Sequence, residues 1–159
     1  MQVNRTTPGQ RPLDPRLFLR DEELDRGAAL IFAAERALSA AMRPAKAEAG
    51  LNDPEIEALM AIRAAPGITV SALRARLDAA QPTLARTLGM LSRKGLIERE
   101  RAAADGRRRT LRLTGAGAVA GERVAAAIRD ALRSAYRDAG AESVEGARLV
   151  LEALAGGPE

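Results

Sequence analysis

Between Gly95 and Thr114 the spacing of apolar residues changes from helical to strand-like, and after Thr114 it changes back. Leu96-Ile97-Glu98-Arg99-Glu100-Arg101 and Arg109-Thr110-Leu111-Arg112-Leu113-Thr114 alternate apolar or β-branched residues with charged ones, the period of two that marks a strand. Ala102 to Arg108 lies between them and contains Asp105-Gly106, a strong hairpin step. The chain is therefore expected to be mostly α, in an α+β order, with a basic-tipped hairpin set between helices.

The helices follow from spacing and punctuation. From Arg16 to about Ala49, Leu17, Leu24, Ala28, Ile31, Leu38 and Met42 recur at three, four and seven residues, one face of a long helix. Gly50 closes it, and Pro44 is a place for a kink because it removes an amide donor and crowds the preceding turn. Asn52 or Asp53 caps a second helix, with Pro54 at its first position, Glu55 in its first turn, and Ile56, Leu59, Met60 and Ile62 behind. Pro66-Gly67 ends it. Thr69 caps a short third helix bearing Val70, Leu73 and Leu77, and Asp78-Ala79-Ala80 makes a tight turn. Gln81-Pro82 opens a fourth helix, in which Leu84, Leu88 and Leu91 recur until Lys94-Gly95 stops it. Beyond the hairpin a long helix runs from about Ala116 to Ala139 with Val124, Ile128, Leu132 and Tyr136 on one stripe. Val144, Ala147, Val150, Leu151 and Leu154 then mark a last helix before the Gly156-Gly157-Pro158 tail.

A length of 159 residues fits one domain with its own core. The chain has no Cys and no His, which excludes thiolate and imidazole chemistry, zinc sites built on those ligands, and Ser-His-Asp triads. No carboxylate pair, Gly-rich phosphate loop or nucleophile–base arrangement stands out, so the chain is not read as an enzyme, and no metal or cofactor is expected. Met1 to Pro15 carries Arg5, Arg11 and three prolines without an apolar run, a flexible arm rather than a secretory signal. No window approaches the roughly 18 apolar residues of a membrane span, and the expected location is the cytoplasm.

Charge is distributed unevenly. Residues 1–80 hold eleven basic and eleven acidic side chains, net 0. Residues 81–113 hold nine and three, net +6, and residues 114–159 hold five and seven, net −2. A cationic strip of this kind suits a polyanion, because each phosphate neutralised releases counterions; by itself it is equally an Arg-rich solvated surface. The fourth helix lies in this strip. At roughly 100° per residue, Leu84, Leu88 and Leu91 fall on one side, and Pro82, Arg86, Gly89 and Arg93 fall on the other. The major groove of B-DNA admits a helix, and an Arg on it can donate two parallel hydrogen bonds to guanine. Gln81 and Thr83 at the helix start either contact bases or phosphates or cap the helix. Gly89 either leaves room for a close backbone approach or is a tolerated weakness. In the hairpin, Arg107, Arg108 and Arg109 alternate in direction, and an Arg at the tip fits a narrow minor groove. Asp105 serves the turn and, by pairing with Arg107, fixes that side chain's orientation.

The composite Lys94-Gly95-Leu96-Ile97-Glu98-Arg99, Asp105-Gly106-Arg107-Arg108 and Leu111-Arg112-Leu113-Thr114-Gly115-Ala116-Gly117 resembles the signature of MarR-type transcriptional regulators. The resemblance spans about residues 17–155. It implies a winged helix-turn-helix homodimer in which the first and last helices intertwine, the fourth helix enters the major groove, and Arg107 enters the minor groove. The DNA-binding set is then Thr69, Ser71, Gln81, Pro82, Thr83, Arg86, Arg93, Asp105, Arg107 and Arg108. Redox-sensing members use Cys and zinc-sensing members use His, so neither effector class applies here. A small-molecule effector is admitted but unidentified; Phe32, Met42 and Met60 are either a pocket or plain core.

The terminal stripes argue separately for a partner chain, since they are too extensive for a small central domain to cover. The expected division is an arm over 1–15, a dimerisation helix over 16–50, a DNA-binding region over 51–115, dimerisation helices over 116–155, and a tail over 156–159. Two-fold symmetry would set half-sites of a pseudo-palindromic operator roughly 10 bp apart. The alternative is a winged-helix module that recruits another regulatory protein, against which the +6 strip speaks.

Overall fold

Among the described residues nine elements follow one another, in the order the periodicities predict except for one short added strand. They are α1 (Asp21–Ala49), α2 (Asp53–Ala64), β1 (Ile68–Thr69), α3 (Val70–Arg76), α4 (Gln81–Arg93), β2 (Ile97–Ala102), β3 (Asp105–Leu113), α5 (Gly115–Ala139) and α6 (Ala141–Leu154). The structure, a computed structural model, describes residues 19–102 and 105–156, and side chains outside 101–108. The expected arm over 1–15, the helix start at Arg16 and the last three tail residues lie outside it.

The chain falls into two compact units, residues 1–37 and 38–159. In the first, the described helical stretch turns Leu24, Leu30, Ile31 and Phe32 to solvent, Phe32 at 66% exposure. Phe32 is therefore not core within the chain, contrary to one of its two sequence readings. In the second, the core gathers Ile56, Leu59 and Ile62 of α2, Leu73 of α3, Leu84, Leu88 and Leu91 of α4, Ile97 and Leu111 of the sheet, and Val124 of α5. Met42 and Met60 pack against it. α1 runs unbroken through Pro44. Burial fades along α5, from Val124 at 0% to Tyr136 at 41% exposed. No residue of α6 is buried, and Leu149, Val150, Leu151 and Leu154 stand open.

The sheet is antiparallel in the order β1-β3-β2. β2 and β3 pair from Ile97↔Leu113 through Arg101↔Arg109, with an irregularity before Ala102↔Asp105. The hairpin is thus longer than its side-chain alternation indicates. β3 begins at Asp105, not Arg109, so the Asp105-Gly106 step expected at the turn lies within the strand; one further pair, Ala102↔Asp105, follows Arg101↔Arg109 across a register shift, and this irregular end carries no period of two. Leu96 precedes β2, and Thr114 leaves the strand to cap α5. β1 was not foreseen: two residues, pairing Ile68↔Leu111 and Thr69↔Thr110, are too few to show a period.

Side chains cap three of these helices. Asn52 and Glu55 form a reciprocal capping box at α2, Thr69 Oγ1 accepts from Ala72 N at α3, and Thr114 Oγ1 accepts from Gly117 N at α5. Glu122 on α5 accepts hydrogen bonds from Arg129 and from Arg63 of α2, and these arginines, Arg129 first, hold its carboxyl below the usual carboxylate range.

Candidate nucleic-acid interface

α3 and α4 are joined by a turn of the kind a helix-turn-helix needs. Leu77 N donates to Leu73 O and Ala79 N to Arg74 O, and Asp78 takes the left-handed φ of 44° that reverses the chain. Asp tolerates that conformation better than most residues because its short polar side chain bonds locally.

The apolar face of α4 is as expected, with one addition. Thr87 is 8% exposed beside the leucines, its hydroxyl satisfied by Thr83 O at 3.0 Å. The opposite side carries Pro82, Arg86 and Arg93, all exposed, with Gly89 half-buried. A Cβ at Gly89 would meet only the end of the Arg93 side chain, so nothing within this chain requires glycine there. Arg93 Nη2 donates to Met90 Sδ. Gln81 and Thr83 do not cap the helix: its N-cap is Ala80, without a side-chain hydrogen bond. The opening amides of α4 are thus left open where α2, α3 and α5 have theirs bonded by side chains, an arrangement that favours an anion. Thr69 is committed to capping α3 and lies 3.1 Å from the exposed Ser71 hydroxyl.

The register of the hairpin sorts its charges onto two faces. Arg99 stands opposite Leu111, which is fully buried, whereas Glu98 and Glu100 alternate with it. Glu100 accepts from Arg112 Nε at 2.8 Å on that other face. Arg99 instead lines a groove of about 330 Å³ with Ser71, Arg74 and Gln81, floored by Ala85 and Leu88. Arg74 and Arg99 were not among the expected contact residues; the alternation of Arg99 with Glu98 and Glu100 was the available signal for one, and nothing local marks the other. The backbone of Asp105, Arg107 and Arg108 belongs to β3. Their side chains, and the expected Asp105–Arg107 ion pair, lie outside the described residues.

Ion pairing differs among the arginines. Arg63, Arg112, Arg123, Arg129, Arg133 and Arg148 each reach a carboxylate. Among the described residues, Arg74, Arg76, Arg86, Arg93, Arg99 and Arg109, all exposed, make no ion pair. Among the same described residues, Arg20, Arg26, Arg36, Arg43 and Arg137 are also exposed and without an ion pair; the six on α3, α4 and the hairpin leave a positive field on those elements. Among the described residues no cluster of three or more Asp, Glu, His or Cys side chains is placed to hold a metal ion, and no helix is long and apolar enough to cross a membrane.

Comparison with known proteins agrees with this layout. A family model described as the MarR family matches residues 49–108. The chain is 36% identical to the HTH-type transcriptional regulator PetP of Rhodobacter capsulatus, over 87% of this chain and 83% of that protein. Its fold is similar to NadR in complex with 4-hydroxyphenylacetate, with a TM-score of 0.68 at 22% identity, covering 79% of this chain and 89% of that one. It is also similar to a point mutant of S. aureus MepR bound to an oligodeoxyribonucleotide, with a TM-score of 0.56 at 19% identity, covering 80% and 94%.

Proposed function

The chain belongs to the MarR family of transcriptional regulators, and on that premise we propose that it binds a pseudo-palindromic site on double-stranded DNA as a homodimer. Each protomer places α4 in the major groove and the tip of the β2–β3 hairpin in the adjoining minor groove. The observation that carries this reading is the group of six exposed, unpaired arginines on α3, α4 and the hairpin. Among the described residues, Arg123, Arg129, Arg133 and Arg148 of α5 and α6 pair with carboxylates, whereas Arg74, Arg76, Arg86, Arg93, Arg99 and Arg109 of α3, α4 and the hairpin do not; Arg137 of α5, unpaired, and Arg112 of the hairpin, paired with Glu100, depart from this division. A free guanidinium is what phosphate and guanine edges take up. The uncapped start of α4, with Gln81, Pro82 and Thr83 exposed, supports a phosphate there. MepR, of similar fold, was solved on an oligodeoxyribonucleotide.

In this reading Arg86 and Arg93 face bases, Gln81, Pro82, Thr83, Thr69 and Ser71 lie along the backbone contacts, and Arg107 and Arg108, positioned by Asp105, serve the minor groove. Footprinting of a site selected from random duplexes tests it: protection of an inverted repeat is expected, and equal binding to random duplex at moderate salt rejects it. Arg86→Ala is expected to cost about 1–3 kcal/mol of binding and to relax preference at one base position. Arg107→Ala is expected to weaken binding and lower the salt slope by about one counterion. An unchanged slope removes the hairpin from the mechanism.

Residues 16–50 and 116–155 are assigned to dimerisation and 51–115 to DNA. The support is the run of open apolar side chains on α6 and, separately, on the first half of α1, faces that a soluble monomer does not leave uncovered. Leu151→Glu combined with Leu154→Glu is expected to shift the protein to monomer in sedimentation; a dimer that persists removes α6 from the interface. A small-molecule effector fits the same reading, with no chemical class assigned. NadR was solved with 4-hydroxyphenylacetate.

A further inference from the structure

One ammonium ties three segments together behind α4. Lys94, the C-cap of α4, donates from Nζ to both carboxylate oxygens of Glu55, each at 2.7 Å, and to Gly50 O at 2.7 Å. Glu55 is 1% exposed and accepts in addition from Asn52 N at 2.9 Å. Gly50 lies just beyond the C-terminus of α1, where a left-handed φ of 60° turns the chain toward α2. The end of α4, the first turn of α2 and the end of α1 therefore meet at one bonded point.

A buried ion pair is a poor way to gain stability, since apolar residues of similar volume do as well or better, but its bonds have direction. The hydrophobic burial of the leucines that hold α4 on the core is non-directional, so it specifies the helix angle less sharply than bonds of fixed geometry do. α4 is 13 residues long, about 20 Å, so a rotation of about 5° at its Lys94 end moves Gln81 by about 1.7 Å. That displacement is enough to break hydrogen bonds to base edges.

We infer that Lys94 and Glu55 are positioning residues for DNA recognition: their pair fixes the angle of α4 against α2 and the end of α1, and so sets sequence discrimination without touching DNA. The inference rests on the DNA-binding reading above.

The test compares the affinity of a site selected by the wild-type chain with that of random duplex. The double variant Glu55→Leu with Lys94→Met leaves the net charge unchanged and is expected to melt at or near the wild-type temperature. It should bind random duplex like the wild type, with the same salt slope, while the discrimination ratio falls about tenfold or more. Glu55→Gln, which keeps the cap and the hydrogen-bonding shape, provides a second variant with a smaller fall in the same ratio. A purely structural role would move melting and both affinities together. Either folded variant retaining the wild-type ratio overturns the inference alone. A wild-type chain that selects no site overturns the DNA reading, and this inference with it.

Discussion

Lys94→Met is expected to lower the stability of the chain by about 3–5 kcal/mol, because it keeps the aliphatic stem and strands a buried carboxylate. Glu55 is 1% exposed, and the Lys94 ammonium is the cation it reaches. Without that ammonium, both carboxylate oxygens lose a charge-assisted partner, and Gly50 O loses a donor. Asn52 N is the donor that remains to Glu55 Oε2. Urea denaturation with an unchanged m-value would report the loss as a fall in midpoint. Arg148→Met is the matched control. Its pair with Glu145 lies on α6 with side chains 58% and 61% exposed, and such pairs contribute about 0–1 kcal/mol. A Lys94→Met chain no less stable than the Arg148→Met chain would show that Glu55 is relieved by another route, and the directional role argued for the pair would fall with it.

The contrast between these two lysine and arginine positions also shows what a sequence conveys. The stripe of Leu84, Leu88 and Leu91 was legible because a helix repeats its neighbours every three or four residues, so burial leaves a local signature. The hairpin was legible for the same reason at period two, although its length was not, since its last pair, Ala102↔Asp105, follows a register shift that breaks the alternation. Asn52-x-x-Glu55 reads as a capping box by spacing alone. That Glu55 is also the buried partner of Lys94, 39 residues on, has no local signature, because the pairing depends on how α2 and α4 pack. Arg74 shares that fate, and β1 is too short to register at all. For the terminal helices, periodicity marked the apolar face but not its cover, and so Phe32 was admitted to a core it does not join. The site was legible as a strip of charge on two elements. Which of its arginines remain unpaired was decided by where the carboxylates of α5, α6 and the back of the hairpin came to lie.

Gly117→Ala should have the second large effect, a loss of about 3 kcal/mol or more, although alanine is ordinarily the better helix former. The reason is a contact between backbones. A Cβ at Gly117 would lie 1.9 Å from Leu96 O and 2.9 Å from its carbonyl carbon, far inside any contact a real side chain makes. Neither atom can swing aside. Leu96 O accepts from Thr114 N at 3.1 Å, and Thr114 Oγ1 donates to Gly95 O at 2.6 Å while accepting from Gly117 N at 3.0 Å. The start of the hairpin and the first turn of α5 are thus laced together across the position a methyl group would need. Relief requires α5 to move away from β2, opening the core around Leu96, Ile97 and Val124. Gly115→Ala, two residues earlier in the same helix with open space around its Cβ, should instead be neutral or stabilise by about 0.4–1 kcal/mol. Measuring both by thermal melting separates close approach from helix propensity: if Gly117→Ala melts with Gly115→Ala, the hairpin and α5 are not in the contact described. If it folds but binds its selected DNA site weakly, the displacement has been passed to the hairpin, which hangs from Leu96 beside the same joint.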